Sequence, residues 1–144
     1  MKLLFAALVF TLALVTGIGR AADSPVGVWK TVDDKTGKVV STVEIYDRGG
    51  RLSAKITGLT EPNDAQGKPK VCTKCPGADK DKPIVGLVIV KDLSQSGDHY
   101  KGGTIMDPED GKVYKAEIWI EEGKLKVRGY LGVFYKTQTW IKGN

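Results

Sequence analysis

Polar and apolar residues alternate along most of this chain with the two-residue period of β-strands. In "VVSTVEIYD" (39–47), Val39, Val43 and Ile45 fall on one face and Thr42, Glu44 and Tyr46 on the other. "RLSAKITG" (51–58) repeats this, with Leu52, Ala54 and Ile56 opposed to Arg51, Ser53 and Lys55. Such alternation marks strands buried on one face only. Six further runs fit the same reading: "GVWKT" (27–31), "IVGLVIV" (84–90), "HYKGGTIM" (99–106), "VYKAEIWIE" (113–121), "KLKVRGYLG" (124–132) and "FYKTQTWI" (134–141). No window carries a sustained helical period.

The turns have their own signature. Gly37-Lys38, Gly67-Lys68, Gly111-Lys112 and Gly123-Lys124 each follow acidic or polar residues. Glycine takes the positive φ that closes a short hairpin, and a solvent-facing lysine then starts the next strand. One hairpin tests itself. If "EEGK" closes it symmetrically, Glu117 lies opposite Arg128, Trp119 opposite Lys126, Ile118 opposite Val127 and Tyr114 opposite Leu131. Polar partners then share one face and apolar partners the other, as register requires.

Eight strands joined mostly by short turns predict an all-β, antiparallel up-and-down barrel, since closure removes exposed edges. A barrel of this strand number either fills with side chains or holds one small ligand. The exception to short turns is a long loop, 59–83, rich in Pro, Gly, Asp and Lys.

That loop contains both cysteines, in "VCTKCPGADKDKP" (71–83). A redox pair would sit at a helix N-terminus that lowers the thiol pKa, but "PGADKDKP" does not read as a helix. A structural zinc site needs four ligands, and two cysteines with one distant His are a weak start. The expectation is a disulfide between Cys72 and Cys75 that stiffens a loop without structure of its own. "DPEDGKVY" (107–114) lacks the spacing of a calcium loop and reads as a Pro-initiated turn. No metal site and no cofactor are expected.

The first residues, "MKLLFAALVFTLALVTGIGRAADSP", have the layout of a secretory signal peptide: a basic start, an apolar run from Leu3 to Val15, then small residues. Residues 1–21 are read as that peptide and 22–144 as a single domain, giving a periplasmic or secreted protein with no stable membrane anchor after cleavage. Removal of Lys2 and Arg20 lowers the net charge from +5 to +3. The lysines are spread along the chain rather than massed, which argues against a nucleic-acid partner.

Candidates for chemistry are few. His99, the single histidine, stands beside Asp98 and reads as an exposed turn residue with no nucleophile in view. Glu44 and Glu117 read as solvated or ion-paired carboxylates on strand faces. Catalysis is therefore not expected. The aromatic residues Trp29, Trp140, Tyr46, Tyr114, Tyr130 and Phe134 suit a core or the lining of a small pocket, while alternation puts Trp119 outside.

Taken together, "GVWKTVDDKTGK", "VEIYD", "GKPKVCTKCPGADKDKPIVGLVI", "GGTIMDPEDGKVYKAEIWIEEGKLKVRGYLG" and "TQTW" resemble the exported bacterial proteins grouped as domain of unknown function 2147. "GVW" is also similar to the Gly-x-Trp of lipocalins and their calycin relatives, small-molecule-binding barrels in which that Trp packs under a basic residue of the last strand. The resemblance implies Trp29 in that role, with Lys136 or Arg128 as the basic partner. The family usually carries Gly-Arg before "TQTW", where this chain has Lys136, and Lys does not stack on a ring as Arg does. Two readings result. One is a lipocalin-like barrel holding a small apolar or amphipathic molecule, with Trp29, Tyr114, Trp140, Arg128 and Lys136 as binding candidates. The other is an interaction module presenting the 59–83 loop to an envelope protein.

Overall fold

A computed structural model describes residues 23–144; the signal-peptide reading falls outside the described residues. Eight antiparallel strands close into a barrel in chain order: β1 (Gly27–Val32), β2 (Val39–Arg48), β3 (Arg51–Leu59), β4 (Val88–Ser96), β5 (His99–Met106), β6 (Val113–Glu121), β7 (Lys124–Leu131) and β8 (Phe134–Lys142). The β6–β7 register is the one the sequence predicts, with Glu117 opposite Arg128, Ile118 opposite Val127 and Trp119 opposite Lys126. The ladder runs only from Lys115–Tyr130 to Glu121–Lys124, so the expected Tyr114–Leu131 pair lies one step past its end.

Two predicted elements differ. The apolar run 84–90 is not one strand: Gly86 has φ 97°, its N–H donates to the Ile56 carbonyl, and the Ile56 N–H donates to Leu87. Residues 84–87 thus form a turn against β3. The strand starts at Val88 and continues through Lys91 and Asp92, polar residues that looked like its end. Asp92 takes a left-handed conformation (φ 60°), and the register gains one residue between the Ala54–Val90 and Leu52–Leu93 pairs. That bulge returns Leu93 to the interior, where it is fully buried.

The long loop, expected to lack structure, has its own. Bridges join Asn63 to Pro69 and Val71 to Pro83, and Gly77–Asp79 makes one 3-10 turn in the stretch read as non-helical. The Cys72–Cys75 disulfide forms, and both cysteines are buried. Cys72 Sγ lies 3.4 Å from the Pro108 carbonyl oxygen, and Gly111 has no room for a side chain beneath the Lys74 carbonyl. Asp79 reaches Lys91 on the outer face of β4 (3.6 Å). The loop therefore drapes over the outside of the wall from β4 to the β5–β6 turn.

Two of the four GK turns share one design. In both "DDKTGK" and "DPEDGK" the Asp N–H donates to the Lys carbonyl (2.9 Å) and the Gly N–H donates back to the Asp carbonyl (2.8 Å). Gly37 and Gly111 have φ 69° and 72°, as such closures demand. Asp33 Oδ1 also accepts from the Lys35 and Thr36 N–H groups, which hold its carboxyl below the ordinary range.

Inside the barrel, Trp29, Val43, Ile45, Leu52, Ala54, Leu93, Ile118, Leu125, Val127 and Trp140 form one buried cluster. Trp29 shuts the end where the chain enters: it is 1% exposed, its Nε1–H donates to the Pro25 carbonyl (2.8 Å), and Lys142 Nζ lies 4.9 Å from its ring centre. The basic partner of Trp29 is thus Lys142 of the last strand, not Lys136 or Arg128. The sequence reading ended β8 one residue short of it.

Gly103 is buried where β5 meets β4, and a Cβ there would run into the Lys91 carbonyl oxygen. Its φ is not in the left-handed region, so space alone forbids a side chain. Gly103→Ala is expected to cost about 2 kcal/mol in denaturant unfolding; an unchanged midpoint would contradict this packing. Removing both cysteines as Ala is expected to cost on the order of 2 kcal/mol and to speed amide exchange chiefly in the loop; uniform exchange changes across all strands would contradict a local staple.

Candidate functional site

The two ends of the barrel are unlike. At the end opposite Trp29, alternation continues the inward face of β6 to Tyr114, that of β7 to Gly129 and Leu131, and that of β8 to Lys136 and Phe134. Tyr114 packs across Gly129, where an added Cβ would stand 3.3 Å from Tyr114 Cβ and 3.6 Å from Ile105. Lys136 Nζ pairs with Asp34 of the neighbouring β1–β2 turn (3.3 Å). Leu131 and Phe134 face the axis yet are 62% and 77% exposed. This end, the mouth of the barrel, carries an exposed apolar rim.

The five expected binding residues are consequently not one cluster. Tyr114 and Lys136 sit in the mouth. Trp29 and Trp140 (2% exposed) belong to the buried core, and Trp140 Nε1–H donates to Gln138 (3.3 Å). Arg128 is outside altogether, because Leu125 and Val127 take the inward positions of β7.

On that outer wall Arg128 organises a polar and aromatic network. Its guanidinium lies 4.9 Å from the Trp119 ring centre and 4.3 Å from that of Tyr135, and its Nε–H donates to Thr137 Oγ1 (2.8 Å). His99 stacks on Trp119 at 4.8 Å, nearly parallel. The Glu117 carboxylate accepts from His99 Nδ1 and from the Tyr130 hydroxyl, both at 2.6 Å. A carboxylate only accepts, so Nδ1 carries the imidazole proton. His99 is therefore a half-buried network member, not an exposed turn residue. The Tyr130 and His99 hydrogen bonds hold the Glu117 carboxyl below its ordinary range, against the opposing effect of burial. The β6–β7 register legible in the sequence already put Glu117, Trp119, Arg128 and Tyr130 on one face. His99 joins them only through the β5–β6 register, which a bulge at Gly102 shifts.

Two clefts lie outside the barrel. One, about 490 Å³, runs between the stapled loop and the wall, past Tyr46, Arg48, Ser53, Asp79, Lys82 and Lys91. The other, about 410 Å³, lies over Gly102 and Gly103 between Lys101, Lys115, Glu117 and Tyr130. Among the described residues no three His, Cys, Asp or Glu side chains gather to hold a metal, and no helix is long and apolar enough to cross a membrane.

A family of bacterial proteins, described as uncharacterized protein conserved in bacteria (DUF2147), matches residues 27–142, from the first strand of the barrel to the last. The chain belongs to this family. DUF2147 thus covers the whole barrel, including the mouth, the outer-wall network and the stapled loop. In shape the barrel is similar to protein HP1028 from Helicobacter pylori, whose structure is described as belonging to the lipocalin family: 23% identity, 82% of each chain covered, TM-score 0.67. That likeness establishes a lipocalin-like fold. No curated protein matches the chain.

Because Glu117 has a lowered pKa in the folded state, it adds stability that is complete above its unfolded value, about 4.5, and is lost as pH falls through the lower folded value. Glu117→Gln should therefore flatten the fall of Tm below about pH 5 while lowering Tm at neutral pH. Parallel Tm–pH curves for the two proteins would show that the carboxylate is not held as described.

Proposed function

We propose that this DUF2147 protein is an exported barrel that holds a small apolar or amphipathic molecule at its mouth. The observation that carries the reading is the pair of apolar side chains, Leu131 and Phe134, that face the barrel axis and remain open to solvent. Apolar surface open to solvent is what a small apolar molecule can cover, and a few polar groups nearby fix orientation. Tyr114, Gln138 and Lys136 supply these here, while Trp29 and Trp140 form the filled floor. A ligand would lie across the rim with its polar end toward Lys136, rather than deep in the lumen.

Binding is favoured over catalysis because His99 and Glu117 are engaged with each other and with Tyr130. Export agrees with the predicted signal peptide and with a disulfide in a bacterial protein. A second reading has its own observation: the 59–83 loop is ordered, stapled and exposed along most of its length, as a surface presented to an envelope protein would be.

The test is titration of the protein with the apolar fluorophore N-phenyl-1-naphthylamine. Saturable enhancement is expected, weakened about tenfold or more in Phe134→Ser and Leu131→Ser, since each removes a large apolar contact. Val40→Ser, exposed on the outside of β2, should change nothing. Absence of saturable binding, or equal binding by all variants, would refute the mouth as a site.

A further inference from the structure

The cleft between the stapled loop and the wall is built from both. On the wall side it runs over the outer face of β2, β3 and β4, where Tyr46 stands opposite Ser53 in the ladder. The bulge in β4 sets Lys91 and Asp92 together against Ser53, between the Ala54–Val90 and Leu52–Leu93 pairs. Gly86, Leu87 and Val88 line it where the loop returns to β4, and Asp79 and Lys82 cover it from the loop side. The staple fixes that cover. The Cys72 N–H donates to the Lys82 carbonyl and the Asp81 N–H donates to the Cys72 carbonyl, both at 2.8 Å. Asp79 then ties the loop to the wall through Lys91.

The polar groups of this lining fall into two sets. Asp79 takes Lys82 (3.1 Å) and Lys91 (3.6 Å), so these three compensate one another. Among the described residues, Arg48 and Ser53 have no ion-pair or side-chain hydrogen-bond partner. Ser53 is only 7% exposed, and a hydroxyl so far withdrawn from water is costly unless something bonds to it. No wholly buried side-chain polar atom among the described residues lacks a partner, so this hydroxyl still reaches solvent, and the cleft is the opening that Ser53 lines. An apolar side chain would suit the position better if packing were its only role. The charges of the lining are Arg48, Lys82 and Lys91 against Asp79 and Asp92, and Arg51 stands opposite Arg48 at the end of the β2–β3 hairpin. The balance is positive.

We propose that this cleft binds a small organic monoanion: a carboxylate carried on an aromatic or apolar body. The guanidinium of Arg48 offers paired N–H donors that match a carboxylate, and the Ser53 hydroxyl adds a further donor. Leu87, Val88 and the Tyr46 ring supply apolar surface for the body. Asp92, in the same lining and without an ion pair among the described residues, disfavours a dianion such as phosphate. The volume, about 490 Å³, lies in the range of small-molecule sites. The stapled loop thereby gains a role as the cover of a site. That site lies on the outside of β2 to β4 and shares no residue with the mouth.

Titration of the isotope-labelled protein with benzoate, followed by backbone amide chemical shifts, tests the proposal. Saturable shifts are expected at Tyr46, Ser53, Gly86 and Asp92. Arg48→Gln should weaken binding about tenfold or more and Ser53→Ala about threefold or more, since each removes a donor to the charged head. Arg48 is exposed, so its replacement leaves the fold intact and the result stands even if Ser53→Ala unfolds. Benzyl alcohol, with the same ring and no charge, should give no saturable shift at these residues. No saturable response to benzoate, shifts centred instead on Tyr114 and Phe134, or equal affinity in Arg48→Gln or for benzyl alcohol would overturn the proposal.

Discussion

Closure of the eight-stranded sheet is the constraint on which everything else in this protein depends. Seven of the eight strand junctions join neighbours in sequence, six of them through short turns that local chain geometry secures and one, β3–β4, across the long stapled loop. The eighth joins β1 to β8, more than a hundred residues apart, through two ladder pairs. It holds because Trp29 sits beneath it, fully buried, bonded to Pro25 and covered by the stem and charge of Lys142. A cation near an aromatic face adds modestly, whereas burial of the indole contributes several times more. The seam is thus fastened by packing at one end and by a short ladder and the Lys136–Asp34 pair toward the other.

That asymmetry distributes the chemistry. At the fastened end the interior is solid. Toward the mouth the side chains that face the axis become larger, polar or exposed: Tyr114, Gln138, Lys136, Leu131, Phe134. Meanwhile the polar residues excluded from the interior do not simply dissolve into solvent. On β5 to β8 they form a ladder of His99, Trp119, Arg128 and Tyr135, with Glu117 and Tyr130 joined below it. Cross-strand pairs of this sort stiffen an antiparallel wall, and here they stiffen the strands whose hairpin forms the apolar rim.

Strand alternation, the turn residues and the β6–β7 register were legible in the sequence because they depend on neighbours within a few residues or across one short hairpin. So were the barrel and the local disulfide. Errors arose where a long-range contact decided. Residues 84–87 carry a strand-like apolar run, but hydrogen bonds to Ile56 bend them into a turn. His99 looks exposed until the Gly102 bulge brings it beside Glu117. Lys136 and Arg128 were plausible caps for Trp29, yet the shear of the barrel brings Lys142 there instead.

The sequence by itself determined which residues face inward and which outward, since a period of two leaves no choice once one face must be buried. It also determined where the chain turns, since only glycine takes the required φ cheaply. Tertiary structure decided which inward positions are floor and which are mouth, which basic side chain covers Trp29, and where the β1–β8 ladder ends. These depend on how far each strand slides past the next before the sheet closes, a quantity set by bulges at Asp92 and Gly102 and by the short first strand. No periodicity in the sequence encodes that offset, because alternation is the same at every shift of two residues.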